Sequence, residues 1–461
     1  MKSIKNSTSI IKSHPLTIIG RFWLCDRYAF ALYALMCLVP AVEAKDFFIH
    51  DGDRVVFLGD SITEQRLYTT FIEAYVLTRH PQWQLTFRNA GWAGDTAFFR
   101  SRCHTDGGKL MGANEATQRA MIDDTIKRGL GRDVLSLKPT MVTIDFGMND
   151  IGVRPTNNVY ATYLRCLTKM VTVLQDNGAR TALLTPQPVE EKRVDPDRDE
   201  KNQSLRKFSD GIKEMATQTG MVFVDQFDPY MAILLRVRAG NPDEFIGGGN
   251  DAVHPGAVGH TLMAWAILKG LGATPLVSRT QIDYQAKTVV AAAACHIDHL
   301  KISDGVIGFD RLDDALPMPI HPQAESALKL APVLDDLNRY GLQITGLAPG
   351  NYELSIDGEP VAKMTAEEWA KECNLATSAG PITQQAQELL KEVGNKNDLF
   401  FNRWRNVQLT PIPDWAQSPE LETRRTAEMA RLDQQIAESE AKIDKLRQPR
   451  LHHFELKRIV P

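Results

Sequence analysis

With 461 residues, 43% of them hydrophobic, the chain is long enough for two compact units and a large core. A net charge of −4 and a pI near 6.3 give no ground for nucleic acid or an anionic membrane surface as partner.

The first 44 residues stand apart. Lys2, Lys5, Lys12, Arg21 and Arg27 precede an uncharged apolar run at 28–42, and Val42-Glu43-Ala44 places small residues where a signal peptidase cuts. This predicts an export signal cleaved after Ala44 and a secreted or periplasmic mature chain without stable membrane insertion. The run is short for a membrane span, so an uncleaved anchor is the lesser alternative.

Val55-Val56-Phe57-Leu58 is a short apolar run suited to a buried strand, and Gly59-Asp60-Ser61-Ile62 follows at once. Apolar residues at Leu67, Phe71, Ala74, Tyr75 and Leu77 then predict a helix over 62–78. Ser61 therefore falls at a strand-to-helix turn, where a hydroxyl meets free backbone N–H groups and the positive end of a helix dipole. It is equally suited to be the helix N-cap.

A second candidate strand at 85–88 leads into Asn89-Ala90-Gly91-Trp92-Ala93-Gly94-Asp95, and Gly94, lacking a Cβ, would let a backbone N–H approach a ligand closely. A third, at 141–146, ends in Gly147-Met148-Asn149-Asp150 and would carry the Asn149 carboxamide to the same sheet edge. Taken singly, each loop is ordinary turn chemistry. Further strands at 180–185 and 221–225 alternate with helical patterns at 159–176 and 203–219, which predicts a parallel sheet covered by helices on both faces.

The Gly-rich stretch Gly247-Gly248-Gly249-Asn250 precedes Asp251-Ala252-Val253-His254-Pro255, a loop before a helix starting near Ala257. Three residues apart in a turn, Asp251 and His254 can share one side, so that His254 takes a proton from Ser61 while Asp251 holds its other ring N–H. A lone loop histidine would be the plainer account of His254, but it does not explain the other three segments.

Beyond 272 the composition changes. Strand-like stretches at 301–303 and 306–309 precede 340–345 and 351–356, which alternate apolar and polar residues across Leu347-Ala348-Pro349-Gly350 and predict a hairpin. The segment 365–393 has a helical pattern. Phe400-Phe401-Asn402-Arg403-Trp404-Arg405 suits either stacking on a sugar or packing against the first domain. Met429, Leu432, Ile436, Ile443 and Leu446 make 419–447 one long amphipathic helix, expected to fold back on its own chain. After signal removal Cys103, Cys166, Cys295 and Cys373 remain; in an exported chain they permit disulfides that the sequence does not pair. His296 and His299 form an H-x-x-H, better explained by a strand or helix face than by a metal.

The four loop segments together resemble the sequence blocks of the SGNH hydrolases, also called GDSL esterases/lipases, over about residues 53–270. The resemblance implies a flavodoxin-like three-layer α/β sandwich. Ser61 would be the nucleophile, with its own N–H, Gly94 and Asn149 forming the oxyanion hole and Asp251 and His254 completing a triad; no cofactor or metal is required. Ile62 stands where many members have Leu, and Thr63 stands where the α/β-hydrolase elbow Gly-x-Ser-x-Gly needs glycine. The expected organisation is a signal peptide at 1–44, a catalytic domain at 45–279, and an accessory region at 280–461 with a small antiparallel β unit at about 285–360 and a helical remainder. Similarity to exported members that deacetylate carbohydrate implies a short-chain esterase acting on a small-molecule or glycan ester. An acyltransferase or lipolytic enzyme with the same triad, and a non-enzymatic carbohydrate-binding or envelope scaffold protein, are the alternatives.

Overall fold

Val55, Val56, Phe57 and Leu58 are all buried, as a strand covered on both faces demands. In the computed structural model, which describes residues 46–152, 157–249 and 251–459, they form β1 (Arg54–Gly59). The export signal expected at 1–44 lies outside the described residues. Strand β1 pairs in parallel with β2 (Thr86–Gly91) and β3 (Met141–Asp145), and β4 (Arg180–Leu184) and β5 (Val222–Val224) extend the sheet in the order β2-β1-β3-β4-β5. Helices flank this sheet in the expected three-layer α/β arrangement, with Leu67–Arg79 packed on Ala257–Gly270 and Glu115–Asp133 on Asn157–Asp176.

Register matters more than strand count here. Gly59 lies opposite Gly91 on one side and Asp145 on the other, so β1, β2 and β3 end level. Because β2 and β3 lie on opposite sides of β1, sheet growth reverses at this point, the kind of place where open α/β sheets bind ligands.

The single helix expected over 62–78 is two helices, Ser61–Glu64 and Leu67–Arg79. Arg66 sits between them with φ 65°, a left-handed conformation that ends the first turn.

The second half departs further from expectation. Among the described residues nine strands form two sheets: β6 (Leu276–Asp283), β7 (Thr288–Ala293), β10 (Arg339–Thr345) and β13 (Cys373–Asn374) make one, in the order β13-β10-β6-β7. The other, ordered β12-β11-β14-β9-β8, contains β8 (Cys295–Ser303), β9 (Val306–Asp313), β11 (Asn351–Ile356), β12 (Glu359–Thr365) and β14 (Leu451–Arg458). The hairpin expected from 340–345 and 351–356 does not exist. Alternation correctly marks both strands as half-buried, but β10 pairs with β6 and β13 while β11 pairs with β12 and β14. The two sheets share one core, in which Leu342 and Ile344 of the first meet Phe309, Leu354 and Phe454 of the second.

The β unit is thus larger than the 285–360 expected, is not wholly antiparallel, and takes its middle strand from the C-terminus. The stretch 365–393 is likewise not one helix: a turn at Ala366–Trp369 and β13 come before the helix Pro381–Phe401. His296 and His299 lie on β8, where each pairs with an aspartate, and the described residues contain no metal-binding cluster. Cys103, Cys166, Cys295 and Cys373 are all free, so no disulfide joins them.

The helix Pro419–Leu446 folds back on its own chain, burying Leu432, Ile436, Ile443 and Leu446 mainly against Pro381–Phe401. That second helix in turn packs on Leu67–Arg79 of the α/β layer. A buried ion pair fixes the junction: Lys396 Nζ lies 2.6 Å from Glu73 Oε1, and Asn397 donates to Glu73 Oε2 at 3.0 Å. Burial pushes the Glu73 carboxyl up and the Lys396 ammonium down, so each depends on the other to stay charged. Lys396→Met should therefore destabilise the chain by about 3–5 kcal/mol in denaturant titrations, whereas Glu73→Leu with Lys396→Met should recover most of that loss.

Candidate active site

The turn after β1 is capped by Asp60, whose side chain accepts from the Ile62 N–H at 3.0 Å. Ser61 is thereby relieved of capping and becomes the first helical residue, with its Oγ free for other work. That Oγ lies 2.9 Å from His254 Nε2. On the far side of the ring, His254 Nδ1 lies 2.9 Å from Asp251 Oδ2. Asp251 Oδ1 also accepts from the backbone N–H groups of Val253 and His254, each at 2.7 Å. Burial raises the Asp251 carboxyl, but these hydrogen bonds outweigh it and hold the group down at about 2. It therefore stays anionic beside the imidazole throughout the range in which a histidine titrates.

The loop carrying this pair is tightly folded. A Cβ on Gly249 would sit 1.8 Å from the His254 carbonyl oxygen, which accounts for part of the glycine run. Glu190, whose role nothing in the sequence marked, braces the loop by accepting from Ile246 N–H at 2.9 Å and from the Tyr230 hydroxyl at 2.6 Å. His260 is a second unforeseen brace. It is fully buried, takes the Tyr68 N–H on Nδ1 at 3.3 Å and lies 3.0 Å from Gln65 Oε1 through Nε2. Burial, with a contribution from His254, lowers it to about 3, so it remains neutral.

Gly94 occupies the third position of a turn closed by the Asp95 N–H on the Trp92 carbonyl. Its φ of 69° is the conformation for which that position selects glycine. Among the described residues neither the Gly94 N–H nor the Ser61 N–H has a hydrogen-bond partner, and both lie just beyond the level strand ends at Gly59 and Gly91. Asn149 belongs to the turn after β3 and donates from Nδ2 to the Asp95 carbonyl at 2.9 Å, with a long 3.4 Å contact to Asp60 Oδ2. Its neighbour Asp150 accepts from Ala97 N–H, at 3.0 Å to Oδ1. The β3 turn is thus latched to the Gly94 loop twice. All five residues expected at the site, Ser61, Gly94, Asn149, Asp251 and His254, converge on one sheet edge.

These atoms suit acyl transfer: a hydroxyl 2.9 Å from an imidazole nitrogen, with a carboxylate 2.9 Å from the other ring nitrogen. Residues 57–262 match the model of the GDSL-like lipase/acylhydrolase family. Through this segment the chain resembles that family. It is an ester-bond hydrolase with an SGNH fold, to which a long C-terminal region is joined. No curated protein sequence matches the chain. Among solved structures, it is similar to a gut microbial diltiazem-metabolizing enzyme, at 25% identity and a TM-score of 0.73, over 89% of this chain and 98% of that one. An acetylxylan esterase from Geobacillus stearothermophilus matches at 20% identity and a TM-score of 0.37, over 49% of this chain and 96% of that one.

Two outcomes follow from this arrangement. Asn149→Ala should lower kcat by about 10²–10³ with little change in KM, if the carboxamide serves the oxyanion; steady-state kinetics on an aryl acetate measures both. The second concerns Asp60. Burial pushes its carboxyl up to about 7, against the Ile62 N–H and with Asp95 adding to the rise. A folded-state value above the unfolded 3.8 means that the folded chain holds the extra proton. Its contribution to stability is therefore full below pH 3.8 and is lost as pH rises through about 7. Asp60→Asn, which can still cap, should flatten that decline in urea titrations between pH 5 and 8.

Proposed function

We propose that the mature chain is an exported serine esterase that hydrolyses short-chain esters, acetyl foremost, carried on carbohydrate. Ser61 Oγ attacks the ester carbonyl as His254 Nε2 takes its proton. The developing oxyanion is received by the N–H groups of Ser61 and Gly94 and by the Asn149 carboxamide. His254 then passes the proton to the departing sugar hydroxyl, and water, activated by the same imidazole, releases the acid and restores Ser61.

The observation that carries this reading is the continuous line from Asp251 through His254 to Ser61, with two separations of 2.9 Å. It lies beside backbone N–H groups that have no other acceptor among the described residues. Export rests on the basic and apolar pattern of residues 1–44. The carbohydrate substrate rests on resemblance to exported deacetylating members of the family. A relative that metabolizes diltiazem and matches along nearly its whole length supports a site open to small molecules as well.

The test is acetate release from acetylated xylan, pectin and chitin oligomers beside aryl esters of graded chain length. Sugar acetates and aryl acetates should turn over, longer acyl chains should not, and Ser61→Ala should abolish all release without altering the fold. Preference for long acyl chains would favour a lipolytic enzyme, and transfer to an added sugar in place of water an acyltransferase.

A further inference from the structure

The C-terminal region reaches the oxyanion turn itself. The helix Pro381–Phe401 continues into a π-helical turn, Asn402–Gln408, and such widened turns redirect side chains at functional positions. Here the turn buries Trp404 edge-on against Trp92, at 5.9 Å between ring centroids and 83°. It also lays the Arg405 guanidinium 3.2 Å from the centroid of the Trp92 ring. Arg405 Nε lies 3.7 Å from Glu64 Oε2. Glu64 ends the Ser61 helix, and its Oε2 accepts the Ala93 N–H at 2.8 Å. Trp92 and Ala93 are the two residues before Gly94.

The next contacts along the same helix reinforce this arrangement. Asp398 pairs with Arg66 at 3.1 Å, and the Phe401 ring lies 4.2 Å from the Arg66 guanidinium, at the break that ends the Ser61 helix. Arg66 in turn donates to the Glu64 carbonyl at 2.7 Å.

We propose that Arg405 and Glu64 are positioning residues for the oxyanion donor at Gly94, and that through them the C-terminal region sets the turnover of the α/β domain. The proposal rests on the esterase reading of the Ser61 site. Glu64 fixes the direction of the Ala93 peptide, Arg405 holds Glu64 and clamps Trp92, and the Gly94 N–H is thereby aimed before substrate arrives. Preorganised donors of this kind act on the transition state more than on the bound substrate. Losing the clamp should therefore lower kcat and spare KM.

The experiment compares Arg405→Met, Glu64→Gln, the double variant and Arg405→Lys in the full chain, using an aryl acetate and hydrogen–deuterium exchange of residues 91–97. Each single substitution should cost roughly tenfold in kcat, less than the about 10²–10³ for removing a donor outright, with KM nearly constant and faster exchange in 91–97. The double variant should be no worse than the poorer single one, because both break one linkage. Lysine should restore part of the loss, since it keeps the charge but not the planar stack on Trp92. Turnover that survives Ser61→Ala would strike at the site itself. Ser61-dependent turnover with kcat unchanged in Arg405→Met and Glu64→Gln, or a loss confined to KM, would overturn this proposal alone.

Discussion

The guanidinium of Arg102 lies without solvent contact beneath the site, where its Nε meets Asp95 Oδ2 at 2.5 Å and Asp133 lies 3.6 Å away. Its Nη2 donates to the carbonyls of Gly59 and Ala90, each at 3.1 Å, near the ends of β1 and β2. One buried cation thus joins the strand that delivers Ser61, the strand that delivers Gly94, and the loop on which Asn149 hangs through the Asp95 carbonyl. A charge in such a place is tolerated only when its partners are fixed, so the requirement to satisfy Arg102 also ties the Ser61 and Gly94 loops to each other. The separate loops that carry Ser61 and Gly94 depend on that shared anchor more than on any single strong contact.

The same logic operates at the junction with the C-terminal region. Glu73 and Lys396 are buried together and would be costly apart, which specifies how the helix Pro381–Phe401 docks on the α/β layer. From that docked helix the chain turns through its π-helical segment to Trp92, and then returns along Pro419–Leu446 to place β14 in the middle of the second sheet. The accessory region therefore closes on itself and grips the catalytic layer in one continuous path. A smaller catalytic domain lacking it would leave Trp92, Glu64 and Arg66 without their outer partners.

The placement of the site residues at one sheet edge was legible because it is local, whereas their roles came from the family resemblance. Ser61, Gly94 and Asn149 each follow a short apolar run within a few residues, and Asp251 and His254 share one loop, so strand ends and turn residues place them without knowledge of the whole. The roles around them were not legible. Asp60, not Ser61, caps the helix, a distinction decided by which side chain reaches the Ile62 N–H. Arg102, Glu190, His260 and Lys396 act across tens to hundreds of residues, and no spacing marks them. The β region failed for the same reason: alternation in 340–345 and 351–356 shows that each strand has one buried face, but partner choice depends on β6, β12 and β14, far away in sequence. The cysteines were compatible with pairing by number and compartment, yet Cys103 and Cys166 are buried free thiols of the α/β core.

The central claim is that Ser61 is a nucleophile made reactive by its place beside His254, and covalent trapping tests it most directly. A fluorophosphonate incubated with the full chain, followed by peptide mass spectrometry, should modify Ser61 stoichiometrically, and His254→Ala should slow that modification by orders of magnitude. Labelling of a different serine, or labelling of Ser61 at the same rate without His254, would contradict the account.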